Sequence, residues 1–222
     1  MNLHTKTPLP DAKTDPAAAR STWLDAAERF LVESGPDAVT VSALSRNLGL
    51  TRGAFYWHFK NREDLIADLV EKCGADAGLR AFEALPRISF DAGILSLLDA
   101  IHIPTPYDLR AMALDRALRR WGQQDAAVRS AVRRIDQTRR FVVEDMFRRQ
   151  GYAADQARLR AGMLCDQIVL TSVEGLRYTI AGYATDLSGL FLLATGRELT
   201  ASNLSNHLNH VLPTRFNRAA AG

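Results

Sequence analysis

Arg52, Tyr56, His58 and Lys60 place a guanidinium, a phenol, an imidazole and an ammonium within the run LTRGAFYWHFKNRED, Leu50 to Asp64. These groups donate hydrogen bonds, and three of them can carry positive charge, so anionic oxygens and base edges are natural partners. Arg52 can present a bidentate donor pair to guanine, and Thr51 a hydroxyl with a methyl suited to thymine. Gly53 costs about 1 kcal/mol relative to Ala inside a helix, so a close approach to a base or to backbone is its expected reason. Thr40, upstream, offers a hydroxyl and helix-start N–H groups to a phosphate. Ser42, in the same turn, completes the candidate set. The same crowd of rings could instead line an aromatic pocket or edge a hydrophobic core, and the flanking sequence has to decide.

Charge is informative once it is located. Residues 1–78 carry 9 Lys and Arg against 11 Asp and Glu, and the remainder 19 against 14, so bulk basicity identifies no partner. Between Thr40 and Arg62, however, there is no acid, while Arg46, Arg52, His58, Lys60 and Arg62 are present. That is a local cationic patch bounded by Asp37 and Glu63. All 19 basic residues after Lys72 are Arg, a composition bias and not 19 phosphate contacts.

The elements that would hold this patch read as helices. Trp23, Ala27, Phe30 and Leu31 recur at helical spacing, with Thr22 and Asp25 as a capping box for a helix from Thr22 to Glu33. Gly35 and Pro36 end it. Thr40 caps a short helix, Val41 to Leu48, which Gly49 closes. A third helix, Arg52 to Phe59, follows after so tight a connection that the two must cross sharply. Leu50 and Phe55 plug that angle, Ser45 is small enough to let the helices approach, and Trp57 with Phe59 anchor the third helix to its neighbours. Asn61 caps a fourth helix with Glu63 and Asp64 in its first turn and Leu65, Ile66, Leu69, Val70 and Cys73 along one side. Two short helices joined by a tight Gly turn form a helix-turn-helix, whose second helix enters the major groove.

At 222 residues, 47% hydrophobic and 24% charged, the chain has ordinary globular composition. Residues 1–17 read as a disordered tail without a signal-peptide core, and no stretch approaches a membrane span, which predicts a cytoplasmic protein. Cys73 and Cys165 read as small core residues, giving no disulfide framework and no metal site. Beyond residue 78 helices are expected at roughly 91–101, 108–122, 125–150, 154–181, 185–195 and 201–211. In the fourth of these, Leu159, Met163, Leu164, Ile168, Leu170 and Val173 occupy more than one face, which calls for burial against a second subunit as well as the helix's own domain. The run RRIDQTRR, Arg133 to Arg140, reads as a solvated face with Asp136 paired along it. His207 and His210 lack an evident third ligand, so no metal is expected there.

The segment VTVSALSRNLGLTRGAFYWHFKNREDLIADLV, Val39 to Val70, resembles the N-terminal DNA-binding domain of TetR/AcrR-type transcriptional regulators. The resemblance covers residues 20 to 72. It implies an all-α protein of nine to ten helices: a three-helix helix-turn-helix domain over 18–78, motif at 40–59, and a helical ligand-binding and dimerisation domain over 79–222. It also implies that Tyr56, His58 and Lys60 lie at the DNA backbone while Thr51, Arg52 and Gly53 face the groove. The partners implied are an operator duplex, a second copy of the chain, and a largely apolar effector in a pocket for which His102, Tyr107, Trp121, Phe141, Met163 and Tyr178 are candidates, with Met112, Met146 and Phe147 behind them. Occlusion of a pseudo-palindromic operator, relieved by the effector, is the expected outcome. An activator of the same fold, or a helical ligand-binding protein without DNA binding, is the alternative. No GxGxxG, P-loop, GxSxG or HExxH is present, so neither an enzyme nor a cofactor is expected.

Overall fold

A computed structural model describes residues 16–74, 82, 85–174 and 179–219, and these form ten α-helices and no strand. The chain divides into two units, Met1–Glu71 and Lys72–Gly222. The boundary expected at residue 78 falls among residues 75–81, and most of the expected N-terminal tail among residues 1–15, all outside the described residues.

The N-terminal unit contains α1 (Pro16–Ser34), α2 (Val41–Leu48), α3 (Arg52–Tyr56) and the greater part of α4 (Arg62–Gly74). Helix α1 begins six residues before Thr22, so the expected capping box is not a helix start. The local capping signal is overridden because the helix simply propagates through it, with Pro16 at its first position where a missing N–H costs nothing. Trp23, Ala26, Ala27 and Leu31 of α1, Leu44 of α2, Phe55 of α3, and Leu65 and Leu69 of α4 are buried together with Val39 and Phe59. Gly49 ends α2 at φ 67°, a left-handed conformation that favours glycine, and directs its N–H and that of Leu50 back to the last carbonyls of the helix.

The C-terminal unit contains α5 (Phe90–His102), α6 (Pro106–Gly122), α7 (Ala126–Arg149), α8 (Ala154–Glu174), α9 (Ile180–Thr195) and α10 (Ala201–Ala219). The helix expected over 154–181 is described over Ala154–Glu174 and does not run on to 181, because Thr179 starts a new one by accepting from the Gly182 N–H at 3.0 Å. Residues 181–184, between the helices expected at 154–181 and 185–195, therefore lie inside α9. Ile94, Leu98 and Ile101 of α5, Val143 and Phe147 of α7, Ala161 and Leu164 of α8, and Tyr183, Leu187 and Phe191 of α9 form the core. Helices α6 and α7 meet closely: a Cβ on Gly122 would lie 3.2 Å from the Arg129 backbone nitrogen.

The run Arg133 to Arg140 is not wholly a solvated face. Arg139 is buried and donates to Asp115 of α6 at 3.1 Å, while Asp136 accepts from Arg119 at 2.6 Å. Arg140 pairs with Asp166 of α8 instead of with Asp136. Burial pulls the Arg119 guanidinium pKa down, but hydrogen bonds and charge from Asp136 and Asp115 outweigh it and leave the net shift upward.

Candidate nucleic-acid interface

Helix α3 exists because each end of it is fixed by a side chain or a turn. Thr51 is its N-cap, accepting from the Ala54 N–H at 3.2 Å, just as Thr40 caps α2 through the Ala43 N–H at 3.2 Å. The helix is shorter than the periodicity suggests: it ends at Tyr56, Trp57 and His58 form a turn, and Phe59 lies beyond it. Asn61 then caps α4 by accepting from the Asp64 N–H at 2.8 Å, and the Asp64 carboxylate accepts from the Lys60 N–H at 3.0 Å. The position of Lys60 is thus set by the start of the helix that follows it.

From behind, α3 is held by rings. Phe55 is fully buried, edge-on to Trp23 at 5.4 Å and stacked on Phe59 at 5.2 Å. Such pairs add about 0.5–1.5 kcal/mol beyond area burial. Arg20 of α1 donates Nε–H to Asp68 at 2.8 Å, places its guanidinium 4.3 Å from the centre of the Phe59 ring, and donates Nη1–H to the His58 carbonyl oxygen. Arg62 donates to the carbonyls of Val39 at 2.7 Å and Pro36 at 3.0 Å, bracing the turn before α2. Arg62 therefore leaves the cationic patch and becomes an internal strut.

In front, Thr40, Thr51, Arg52, Gly53, Tyr56 and Lys60 are exposed, and Ser42 and His58 are half-buried. The Thr40 and Thr51 oxygens accept from their own helices, which leaves each hydroxyl hydrogen as its donor for an external group. A Cβ on Gly53 would meet only the Thr51 Oγ1, at an ordinary 3.6 Å. Among the described residues nothing demands a glycine there. Trp57, expected to be an anchor, is 87% exposed. Ending α3 at Tyr56 swings Trp57 outward, leaving Phe55 and Phe59 as the anchors. Trp57 is thus an exposed neighbour of the 59%-exposed Tyr56, a residue the helical spacing misassigned.

The six pocket candidates lie in different environments. Trp121 is buried, and His102 is half-buried with its ring 5.8 Å from that of Tyr183. Tyr107, Phe141 and Met163 are 56%, 71% and 45% exposed, and Tyr178 lies outside the described residues. A cleft of about 510 Å³ opens beside α5 and α10, lined among others by Ser96, Asp99, Asn203, His207 and His210, and none of the five described candidates lines it. In it, buried Asp99 accepts from the Tyr183 hydroxyl at 2.7 Å and lies 3.1 Å from His207 Nε2. Among the described residues no group of three or more His, Cys, Asp or Glu could hold a metal, and no helix is long and apolar enough to cross a membrane. Burial pushes the Cys165 thiol up to about 12, so it is protonated and no nucleophile at neutral pH; the Cys73 side chain is outside the described residues.

The architecture of the N-terminal unit is that of a helix-turn-helix domain. Residues 24–69 match the family described as bacterial regulatory proteins, tetR family. The transcriptional regulator AcrR of Shigella flexneri is 32% identical over 66 residues, which is 30% of this chain and 31% of that protein. TtgR of Pseudomonas putida is 34% identical over 59 residues, 27% of this chain and 28% of that protein. The matched segment thus spans under a third of these two relatives. The fold likeness runs further: GusR of Salmonella enterica superposes with a TM-score of 0.63 at 19% identity, covering 82% of this chain and 96% of that one.

Proposed function

We propose that this chain is a ligand-responsive, homodimeric transcriptional regulator that reads a pseudo-palindromic operator through α3. The observation that carries the reading is the front of the N-terminal unit: hydroxyl, guanidinium, phenol and ammonium donors exposed together, with no acid between Thr40 and Arg62. In this reading Arg52 addresses a base edge and the space at Gly53 admits the groove wall. Tyr56, His58, Lys60 and the caps at Thr40 and Thr51 meet phosphates. Two such heads one DNA turn apart, roughly 34–36 Å, match a palindrome.

The second copy has a surface to meet. Leu159, Met163, Leu170 and Val173 of α8 and Leu192 and Leu193 of α9 are 42–72% exposed, a density of large apolar side chains that supports self-association. An effector favouring one arrangement of the heads shifts the binding equilibrium. The cleft at Asp99 and His207 supports an effector that makes hydrogen bonds, in place of the largely apolar one suggested by the resemblance. Repression by occlusion in the cytoplasm is the outcome we favour over activation.

Selection of bound duplexes from a random pool, followed by mobility shifts at varied salt, tests the reading. A single enriched palindrome is expected. Lys60→Ala should weaken every sequence alike and lower the salt slope by about one. Failure to enrich any sequence at low salt would leave the chain as a helical ligand-binding protein.

A further inference from the structure

Ser42 and Arg52 stand ten positions apart in the sequence and meet across the turn that joins α2 to α3. Ser42 lies in the first turn of α2, half-buried, and Arg52 opens α3, exposed. The Arg52 Nη2 donates to the Ser42 Oγ at 2.6 Å. The neighbouring hydroxyls behave differently, since Thr40 and Thr51 each accept from the backbone of the helix they cap. Ser42 instead binds a side chain on the other helix, and that side chain is the one with the donor pattern for guanine.

A guanidinium has five N–H donors on a rigid plane at the end of a stem with many rotamers. One donor held by Ser42 orients the plane, and the rest remain for the groove. Orientation achieved before binding lowers the ordering cost at the moment of binding, the usual route by which preorganisation raises affinity. It also selects which base edge the fork can address.

We propose that Ser42 is a positioning residue: its hydroxyl fixes the Arg52 fork and so sets base preference at one operator position, without itself touching DNA. The proposal rests on the DNA-binding reading above. A double-mutant cycle with Ser42→Ala and Arg52→Ala tests it, measured on the duplex that the wild-type protein enriches and on its single-base variants. Ser42→Ala should lower affinity for the preferred duplex about three- to tenfold, the worth of one hydrogen bond. It should relax discrimination at the same base pair that Arg52→Ala relaxes. In the Arg52→Ala background the second substitution should change affinity less than about twofold. Ser42→Thr, which keeps the hydroxyl, should restore discrimination, and the thermal midpoint of Ser42→Ala should match the wild type.

An equal loss with and without Arg52 would mean that Ser42 contacts DNA directly and would overturn the proposal. So would a uniform loss over all sequences, or no loss at all. Those results leave DNA binding intact, whereas a wild-type protein that enriches no duplex overturns both readings.

Discussion

Two pairs of arginines, one in each unit, brace their surroundings through different partners. In the N-terminal unit Arg20 and Arg62 reach backbone carbonyls of His58, Val39 and Pro36, bracing the turns around a small core of rings. In the C-terminal unit Arg119 and Arg139 reach carboxylates, Asp115 and Asp136, between α6 and α7. A carbonyl strut fixes the path of a loop at modest cost, because the accepting carbonyl carries no net charge to desolvate. A buried ion network is different: it tolerates no missing member, since the remaining charge stays desolvated. The first arrangement suits a domain whose purpose is to present a short helix at a defined angle. The second makes the α6–α7 pair an all-or-none unit.

Four substitutions sharpen or break this contrast. The largest effect is expected from Phe55→Ala, which empties the ring cluster and should cost about 3–5 kcal/mol. Urea unfolding should show the loss, and sequence-specific DNA binding should vanish with it. A loss below about 1 kcal/mol would show that the carbonyl struts, not the rings, hold α3. Arg139→Ala should follow, at about 3 kcal/mol, because Asp115 loses a buried charged partner. If stability barely changes, the network is a surface feature and the contrast between the units fails.

Gly53→Ala separates folding from function within the N-terminal unit. The added methyl makes only an ordinary contact with the Thr51 Oγ1 and removes backbone freedom, so stability should rise by up to about 1 kcal/mol. Affinity for the selected duplex should nevertheless fall. A rise in both would remove the argument that the missing side chain makes room for DNA.

The smallest effect concerns His102, whose pKa burial holds below 6.5 while the Asp99 charge opposes the shift in part. The unfolded chain takes up this proton near 6.5 and the folded chain only at lower pH. The stability contributed is therefore complete above 6.5, declines as pH falls through 6.5, and levels off below the depressed value. In His102→Gln, the difference in unfolding free energy between about pH 7.5 and about pH 5.5 should shrink. An unaltered difference would assign that pH dependence to other groups.

Much of the N-terminal unit was legible because its signals are local. Thr40, Gly49 and Asn61 each mark an element end by a contact within four residues, and each does so in the structure. Trp57 was misplaced because the aromatic spacing fits a longer helix than the five residues that form. Arg62 and Arg139 were misread for another reason: a charge in the sequence does not reveal an acceptor 23 or 24 residues away. The same limit governs the C-terminal cleft. Asp99 and His207 are 108 residues apart, and only the packing of α5, α9 and α10 puts them together with Tyr183.

The outward position of Trp57 gives the molecule an optical property. Of the three tryptophans, Trp23 is 1% exposed and Trp121 5%, against 87% for Trp57. Collisional quenchers in solvent will therefore reach one indole and spare the other two. Because that indole lies between Tyr56 and His58, two residues proposed to meet phosphates, its emission and its accessibility to iodide or acrylamide should change on complex formation. On the proposed function, Trp57 would serve as an unlabelled reporter of duplex binding, and competition by a candidate effector could be followed at the same wavelength.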